Sequence, residues 1–483
     1  MHLHSVLRIP GLLLMVFSTT MLPPAAFALA ADDPTLAPFL IAFGLLLTLG
    51  VLLWLPVRKV RRELKTRDGF FVVAMFWIVL GLSGALPLYL SPLPEMSLTD
   101  AVFESVSGLT TTGATVLTGI AQLPLSIRYY RQQLQWLGGI GIIVLAVAIL
   151  PMLGIGGMQL YRAETPGPIK DDKLTPRITE TAKAFWYLYL GLTGICALAY
   201  WLAGMTPFDA LTHSFATVST AGFSTHDASI GYFDSALIEA IACVFMFAGG
   251  VNFALHFAAW RRLSTQPYRD DSEFRFYAKV LLAGLAVVVA TLLLCGVYPQ
   301  HGEAIRKGIF QLVSFGTTTG FTTAAYHDWP LFLPMLLLFF GMAGACAGST
   351  SGGIKMVRVL LLYKQGRREI MRLIHPQAQI LVKFGRREVD ERVIDAVWGY
   401  LAAYVGLFAV MLLILLGLGL EPVTAFSALA SAMSNLGPGL GEVAVTYLGV
   451  PPAGKWLLSF AMVLGRLEIF TLLVVLTPAF WRR

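Results

Sequence analysis

The sequence predicts an all-α polytopic membrane protein: two N-terminal transmembrane helices, then four parallel helix–pore-helix–filter–helix repeats around one central pore. Three observations carry this. Of 483 residues 57% are hydrophobic and only 13% charged, whereas a soluble fold carries about 25% charged residues. The apolar residues form blocks, such as 70–90 and 280–298, near the roughly 20 residues at 1.5 Å rise that cross the hydrocarbon core. A short polar motif recurs four times between such blocks. This composition argues against soluble enzymes and nucleic-acid binders.

The chain opens with Arg8, an apolar run and Ala28-Leu29-Ala30, which mimic a cleavable signal peptide. The expectation is a retained first helix. With 36–57 as the second helix, running into the basic segment that starts at Arg58, both termini are cytoplasmic. The net charge is +7, and 28 of the 35 basic residues fall in five groups: 58–67, 162–183, 261–279, 355–392 and the C-terminal Arg482-Arg483. Short loops rich in Lys and Arg stay in the cytoplasm, so these groups are topology signals rather than a nucleic-acid surface. Cys196, Cys243, Cys295 and Cys346 form no CxxC pair, which supports neither a zinc site nor a disulfide framework.

After residue 65 the expected units are 66–175, 176–270, 271–385 and 386–483. Their polar interruptions end at Gly113, Gly222, Gly320 and Gly437. Twelve positions before each glycine stands a small residue (Ala101, Ala210, Gly308, Ala425), and three before each a hydroxyl (Thr110, Ser219, Thr317, Ser434). The segment preceding each interruption is too short to span, and suits a re-entrant helix packed in protein or lining a water-filled cavity. Because every unit begins and ends in a basic loop, all four run the same way, unlike the opposed copies of inverted-repeat transporters.

A dehydrated cation needs oxygen ligands, and rings of backbone carbonyls supply them. The expected donors are Thr111 and Thr112, Thr220 and Ala221, Thr318 and Thr319, and Asn435 and Leu436. Ala221 and Leu436 have no side-chain oxygen, so the backbone is the common element. The glycines permit the torsions required. No Asp or Glu stands in these loops, which favours a monovalent ion over calcium or magnesium, and the negative ends of the pore helices favour a cation.

The second span of unit three, 329–363, contains five glycines within residues 341–353. Each costs about 1 kcal/mol relative to Ala in a helix, so the helix is expected to break, leaving an irregular stretch beneath the filter. Gly348, Ser349, Gly352, Gly353 and Lys355 are the expected gate residues. GSTSGGIK lacks the GxxxxGK[ST] of a phosphate-binding loop, and Thr350 stands where a nucleophile elbow needs Ser. Enzyme chemistry is not expected. His213, His226 and His327 suit interfacial hydrogen bonds better than metal binding. Arg466, near the middle of the last span with Glu468 two residues on, is the other outlier, since a charge at membrane depth usually faces protein or a water-filled path.

The strings GLTTTGATV, STAGFSTHDASIGYFD, TTTGFTT and SNLGPGLG, with LQWLGGIGIIVLAVAILPMLGIGGMQLYRAETPGP and CAGSTSGGIK, resemble TrkH potassium-uptake proteins of the TrkH/KtrB/HKT superfamily over essentially the whole chain. The resemblance implies a bacterial inner-membrane homodimer with one potassium pore per subunit. It also implies a cytosolic TrkA-type partner carrying the nucleotide-binding domains; no cofactor is expected in this chain, and K+ is the transported ion. In plant relatives Ser in place of the first filter glycine accompanies sodium permeation, so Gly113 argues for potassium. Arg466 is implied to sit with the unit-three loop at the gate. Asn435-Leu436 and Pro438 depart from a uniform filter, and one shared glycine per loop implies fewer ordered ion sites than a two-glycine filter. The regulator's docking surface is expected on the ten Lys and Arg of 355–392. The alternative reading is a proton- or sodium-coupled secondary cation transporter.

Overall fold

The computed structural model describes residues 3–58, 66–144, 178–385 and 387–482. The first unit's second span beyond Val144, most of the basic group 162–183 and Arg386 lie outside the described residues. Among the described residues six helices are long and apolar enough to cross a membrane, and two further spans are helix pairs bent by 97° and 114°. A two-stranded hairpin, Lys383–Phe384 with Arg387–Glu388, is the β structure found there.

The N-terminal segment forms helices Leu3–Thr19 and Leu22–Ala30, followed by Leu36–Trp54. Gly11 and Gly50 face one another so closely that a Cβ on either lies within 2.9 Å of the other's carbonyl oxygen. Small residues let membrane helices approach in this way. Leu12, Leu13 and Phe39 share one core with Val73, Trp77 and Leu80 of the next span, Thr66–Leu90. The first segment is therefore packed into the body of the fold.

Four short helices follow the first span of each unit: Leu98–Leu109, Pro207–Val218, His301–Gly316 and Pro422–Ser434. They have 12, 12, 16 and 13 residues. That is about 18–24 Å at 1.5 Å per residue, short of the ~30 Å hydrocarbon core. Ser97 and Thr206 each cap their helix by accepting the N–H three residues on, from Asp100 and Asp209, and donate their hydroxyl to the same aspartate. Glu421 accepts the Thr424 N–H in the same role. These caps, with Pro207 and Pro422 in the first turn, fix where those three helices begin, while His301–Gly316 starts without a side-chain cap.

The second span of unit three breaks as expected: helix Leu333–Ala343 ends at Gly344 (φ 70°), and the next helix is Met356–Ile374. Two further breaks correct the sequence reading. Unit two's second span divides into Ala236–Gly249 and Phe253–Arg262, where Asn252 caps the new helix by accepting the Ala254 N–H. The last span, expected as one helix over 455–481, turns after Arg466 and restarts at Phe470, with Glu468 and Ile469 at φ 54° and 56°. The unit-two break falls at Gly249-Gly250 and carries a local Asn252 cap, whereas the unit-four break is held by a tertiary contact, Glu468 to Arg358 at 2.6 Å.

Candidate functional site

Each pore helix ends in the same backbone motif. The N–H groups of Thr111, Thr220, Thr318 and Asn435 bond carbonyls three residues back, at 2.9–3.2 Å. Those of Thr112, Ala221, Thr319 and Leu436 bond carbonyls five residues back, at 2.8–3.0 Å. This pair of bonds defines a Schellman cap, which needs a left-handed residue. Thr111, Thr220, Thr318 and Asn435 accordingly have φ of 51–56°. Two residues later Gly113, Gly222 and Gly320 have φ of 79–80°, and Gly437 103°. The hydroxyls three positions before the glycine finish the cap in three units: Thr110, Ser219 and Thr317 donate to the carbonyl four residues back at 2.6–2.8 Å.

The four loops form a closed ring. A Cβ built on Gly113 overlaps the carbonyl oxygen of Ala221, one on Gly222 that of Thr319, one on Gly320 that of Leu436, and one on Gly437 that of Thr112. Each step joins equivalent positions in the same sense, and the fourth returns to the first. Such head-to-tail contacts close only when the copies are related by rotation about one axis. Glycine is thus demanded twice at each position, by the torsion and by the neighbouring carbonyl. All eight expected donor residues are buried. The Ala221 carbonyl also accepts from Gln135 Nε2 at 2.7 Å, and a carbonyl has two lone pairs to share. Asn435 Nδ2 donates to Thr112 Oγ1 and to the Met462 carbonyl, tying the fourth loop to the first.

Of the residues that brace these loops, His213 was noted in the sequence for hydrogen bonding, and the others escaped it. Nine positions before the glycine stand Glu104, His213 and Gln311 in units one to three. Glu104 accepts the Val116 N–H at 3.0 Å, His213 pairs with Ser224 Oγ at 2.9 Å, and Gln311 accepts the Thr323 N–H at 3.1 Å. In unit four Ala428 occupies that position, and Tyr447 instead donates to the Gly437 carbonyl at 2.8 Å. Arg131, fully buried, pairs with Glu104 at 2.7 Å and donates to the Ser224 carbonyl of unit two. Differing chemistry at one offset hid the pattern; the shared offset was the available signal. Glycines Gly138, Gly249 and Gly465 were missed as well. They bring the second helices against the pore-helix carbonyls of Leu109, Val218 and Met433.

The irregular stretch of unit three lies across the inner ends of these loops. Thr350 Oγ1 contacts Thr220 Oγ1 and the Val218 and Gly249 carbonyls, each at 3.1 Å. The Gly352 N–H donates to Thr318 Oγ1 at 2.7 Å, and Gly352 packs on the Ser434 carbonyl. Gly348 (φ 75°) gives its carbonyl to the Phe253 N–H at 3.0 Å. Ser349 Oγ bonds the Cys346 carbonyl at 2.6 Å, Gly353 (φ 77°) packs on Gly344, and buried Lys355 donates from Nζ to the Ser351 carbonyl. Arg466 joins this stretch: its guanidinium donates to the Thr350 and Gly138 carbonyls, both at 2.9 Å. Glu468 bonds Arg358 rather than Arg466.

The basic segment 355–392 exposes fewer charges than its sequence count. Lys355, Arg358 and Arg368 are buried. Arg358 lies 4.1 Å above the Tyr400 ring, and Arg368 is 3.5 Å from both Glu369 and Glu391. Elsewhere, the Arg306 guanidinium 2.6 Å from Asp234 holds that carboxyl below the usual range.

The family model described as "TrkH: Cation transport protein" matches residues 36–482. The Trk system potassium uptake protein TrkH of Vibrio parahaemolyticus is 54% identical over 100% of both chains. That of Escherichia coli K12 is 51% identical, again over 100% of both. The crystal structure of the potassium transporter TrkH from Vibrio parahaemolyticus superposes with a TM-score of 0.91 at 51% identity, covering 100% of each chain. By this match and this identity over the whole chain, the protein belongs to the TrkH family of cation transport proteins.

Proposed function

We propose that this chain is the potassium-uptake pore subunit of a Trk system in the bacterial inner membrane, with both termini cytoplasmic. The observation that carries the reading is the closed cycle of glycine–carbonyl contacts. It sets four equivalent strands of backbone oxygen around one axis, with no carboxylate among the loop residues at the ring. Thr111, Thr112, Thr220, Ala221, Thr318, Thr319, Asn435 and Leu436 supply carbonyls that replace the water around K+. The repeats 66–175, 176–270, 271–385 and 386–483 each contribute one loop. The relatives named as potassium uptake proteins support the choice of ion.

The stretch Gly348 to Lys355 serves as the gate. It contacts the inner ends of loops two, three and four, and Arg466 adds positive charge beside it. A fixed charge in a low-dielectric passage opposes a cation until it is moved or neutralised. The protein functions as a homodimer, and a cytosolic TrkA-type nucleotide-binding subunit docks on the exposed basic residues of 355–392 and moves the gate. Nucleotide belongs to that subunit, not to this chain.

Reversal potentials of reconstituted protein across opposed potassium, sodium and proton gradients test the reading. The expected potential follows the potassium gradient alone in wild type. In Gly113→Ser it shifts toward sodium, by about tenfold in permeability ratio, because the new Cβ meets the Ala221 carbonyl. A potential that tracks protons or sodium in wild type establishes a coupled secondary transporter instead.

A further inference from the structure

We propose that Glu273 is a positioning residue of the gate, pinning both ends of the unit-three loop to the cytoplasmic start of that unit's first helix. The inference rests on reading Gly348–Lys355 as the gate. Glu273 lies in the first turn of helix Ser272–Leu294 and is 94% buried (6% exposed). Its Oε1 accepts two backbone N–H groups: Ala347 at 2.7 Å and Val357 at 2.9 Å. These two amides stand on either side of the loop, so one side-chain oxygen of Glu273 closes its base.

Both amides need such a partner. Ala347 lies in irregular backbone, and Val357 is the second residue of helix Met356–Ile374. The first turn of any helix leaves N–H groups without intrahelical acceptors. Lys355 stands at the N-cap position and makes no side-chain cap. Glu273 supplies the missing cap from another helix. The opposite edge of the loop is fixed differently, by backbone bonds from Cys346 to Gly250 and from Phe253 to Gly348.

A mechanical consequence follows. Asp271 caps the Glu273 helix by accepting the Phe274 N–H at 2.6 Å, and the chain just before it is the cytoplasmic stretch after Arg262. A displacement of that stretch reaches both ends of the gate through a single side chain. The route does not pass through the 355–392 segment.

Potassium flux per folded dimer, without regulator, tests this in reconstituted Glu273→Ala and Glu273→Gln, with Arg466→Ala as a reference. Losing the two hydrogen bonds corresponds to about a tenfold shift toward the open form. Glu273→Ala is therefore expected to raise basal flux by about tenfold with the potassium/sodium ratio unchanged. Glu273→Gln keeps an acceptor oxygen and is expected to stay within about threefold of wild type. If Arg466→Ala raises flux while folded Glu273→Ala does not, the gate reading stands and the pin is overturned. If Gln behaves as Ala, the acceptor role is overturned. If neither Arg466→Ala nor Glu273→Ala raises flux, the gate reading fails and takes the pin with it.

Discussion

Threonine is a costly choice for left-handed backbone, about 1–2 kcal/mol per residue for an L side chain, yet Thr111, Thr220 and Thr318 all adopt it. Strain of this kind persists where surrounding contacts over-determine it, and here two Schellman bonds and buried packing do so in each unit. The glycines were legible in the sequence because four of them shared an offset. The strained threonines were named as carbonyl donors, but their torsion had no sequence signature. Arg466 was legible as a charge at membrane depth, and its contacts with the Thr350 and Gly138 carbonyls give that charge a place. Arg466→Ala is expected to raise regulator-free potassium flux by about tenfold, since two charged hydrogen bonds to the loop and the adjoining helix are lost. Arg466→Lys, retaining the charge but not the forked geometry, is expected between the two. Tracer-ion uptake into proteoliposomes, normalised to folded dimer, gives the comparison; unchanged flux in Arg466→Ala makes the arginine structural.

Among the elements, the pore helices and the unit-three break followed from length and glycine content. The breaks in units two and four were not read in advance. Gly249-Gly250 and the Asn252 cap were local signals of the first, whereas Glu468 acts through Arg358, a partner it meets only in three dimensions. The unit-three stretch bonds the loop threonines Thr220 and Thr318 through Thr350 and Gly352, so it is coupled to the ring. Deleting residues 349–352 removes both contacts and one of the two carbonyl acceptors of Arg466. Flux per folded dimer is expected to rise several-fold without regulator. A stretch that merely packs gives the opposite result, with folded protein and flux falling together.

At the level of the whole molecule, the fourfold pattern that sequence offsets suggested is realised as a ring whose members are chemically unlike. Glu104, His213 and Gln311 brace three loops, and Tyr447 serves the fourth. Unlike braces behind like backbones explain why residue identity conceals the repeat that backbone geometry displays. They also make the central claim quantitative, because equivalence should hold at the backbone whatever stands behind it. The direct measurement is the potassium-to-sodium permeability ratio of Gly113→Ala, Gly222→Ala, Gly320→Ala and Gly437→Ala, each purified as folded dimer. All four are expected to lose selectivity. Gly437→Ala should lose least, since its Cβ lies 2.6 Å from the Thr112 carbonyl, the loosest of the four contacts. A folded variant at Gly113, Gly222 or Gly320 that keeps the wild-type ratio contradicts a ring of four equivalent backbone strands.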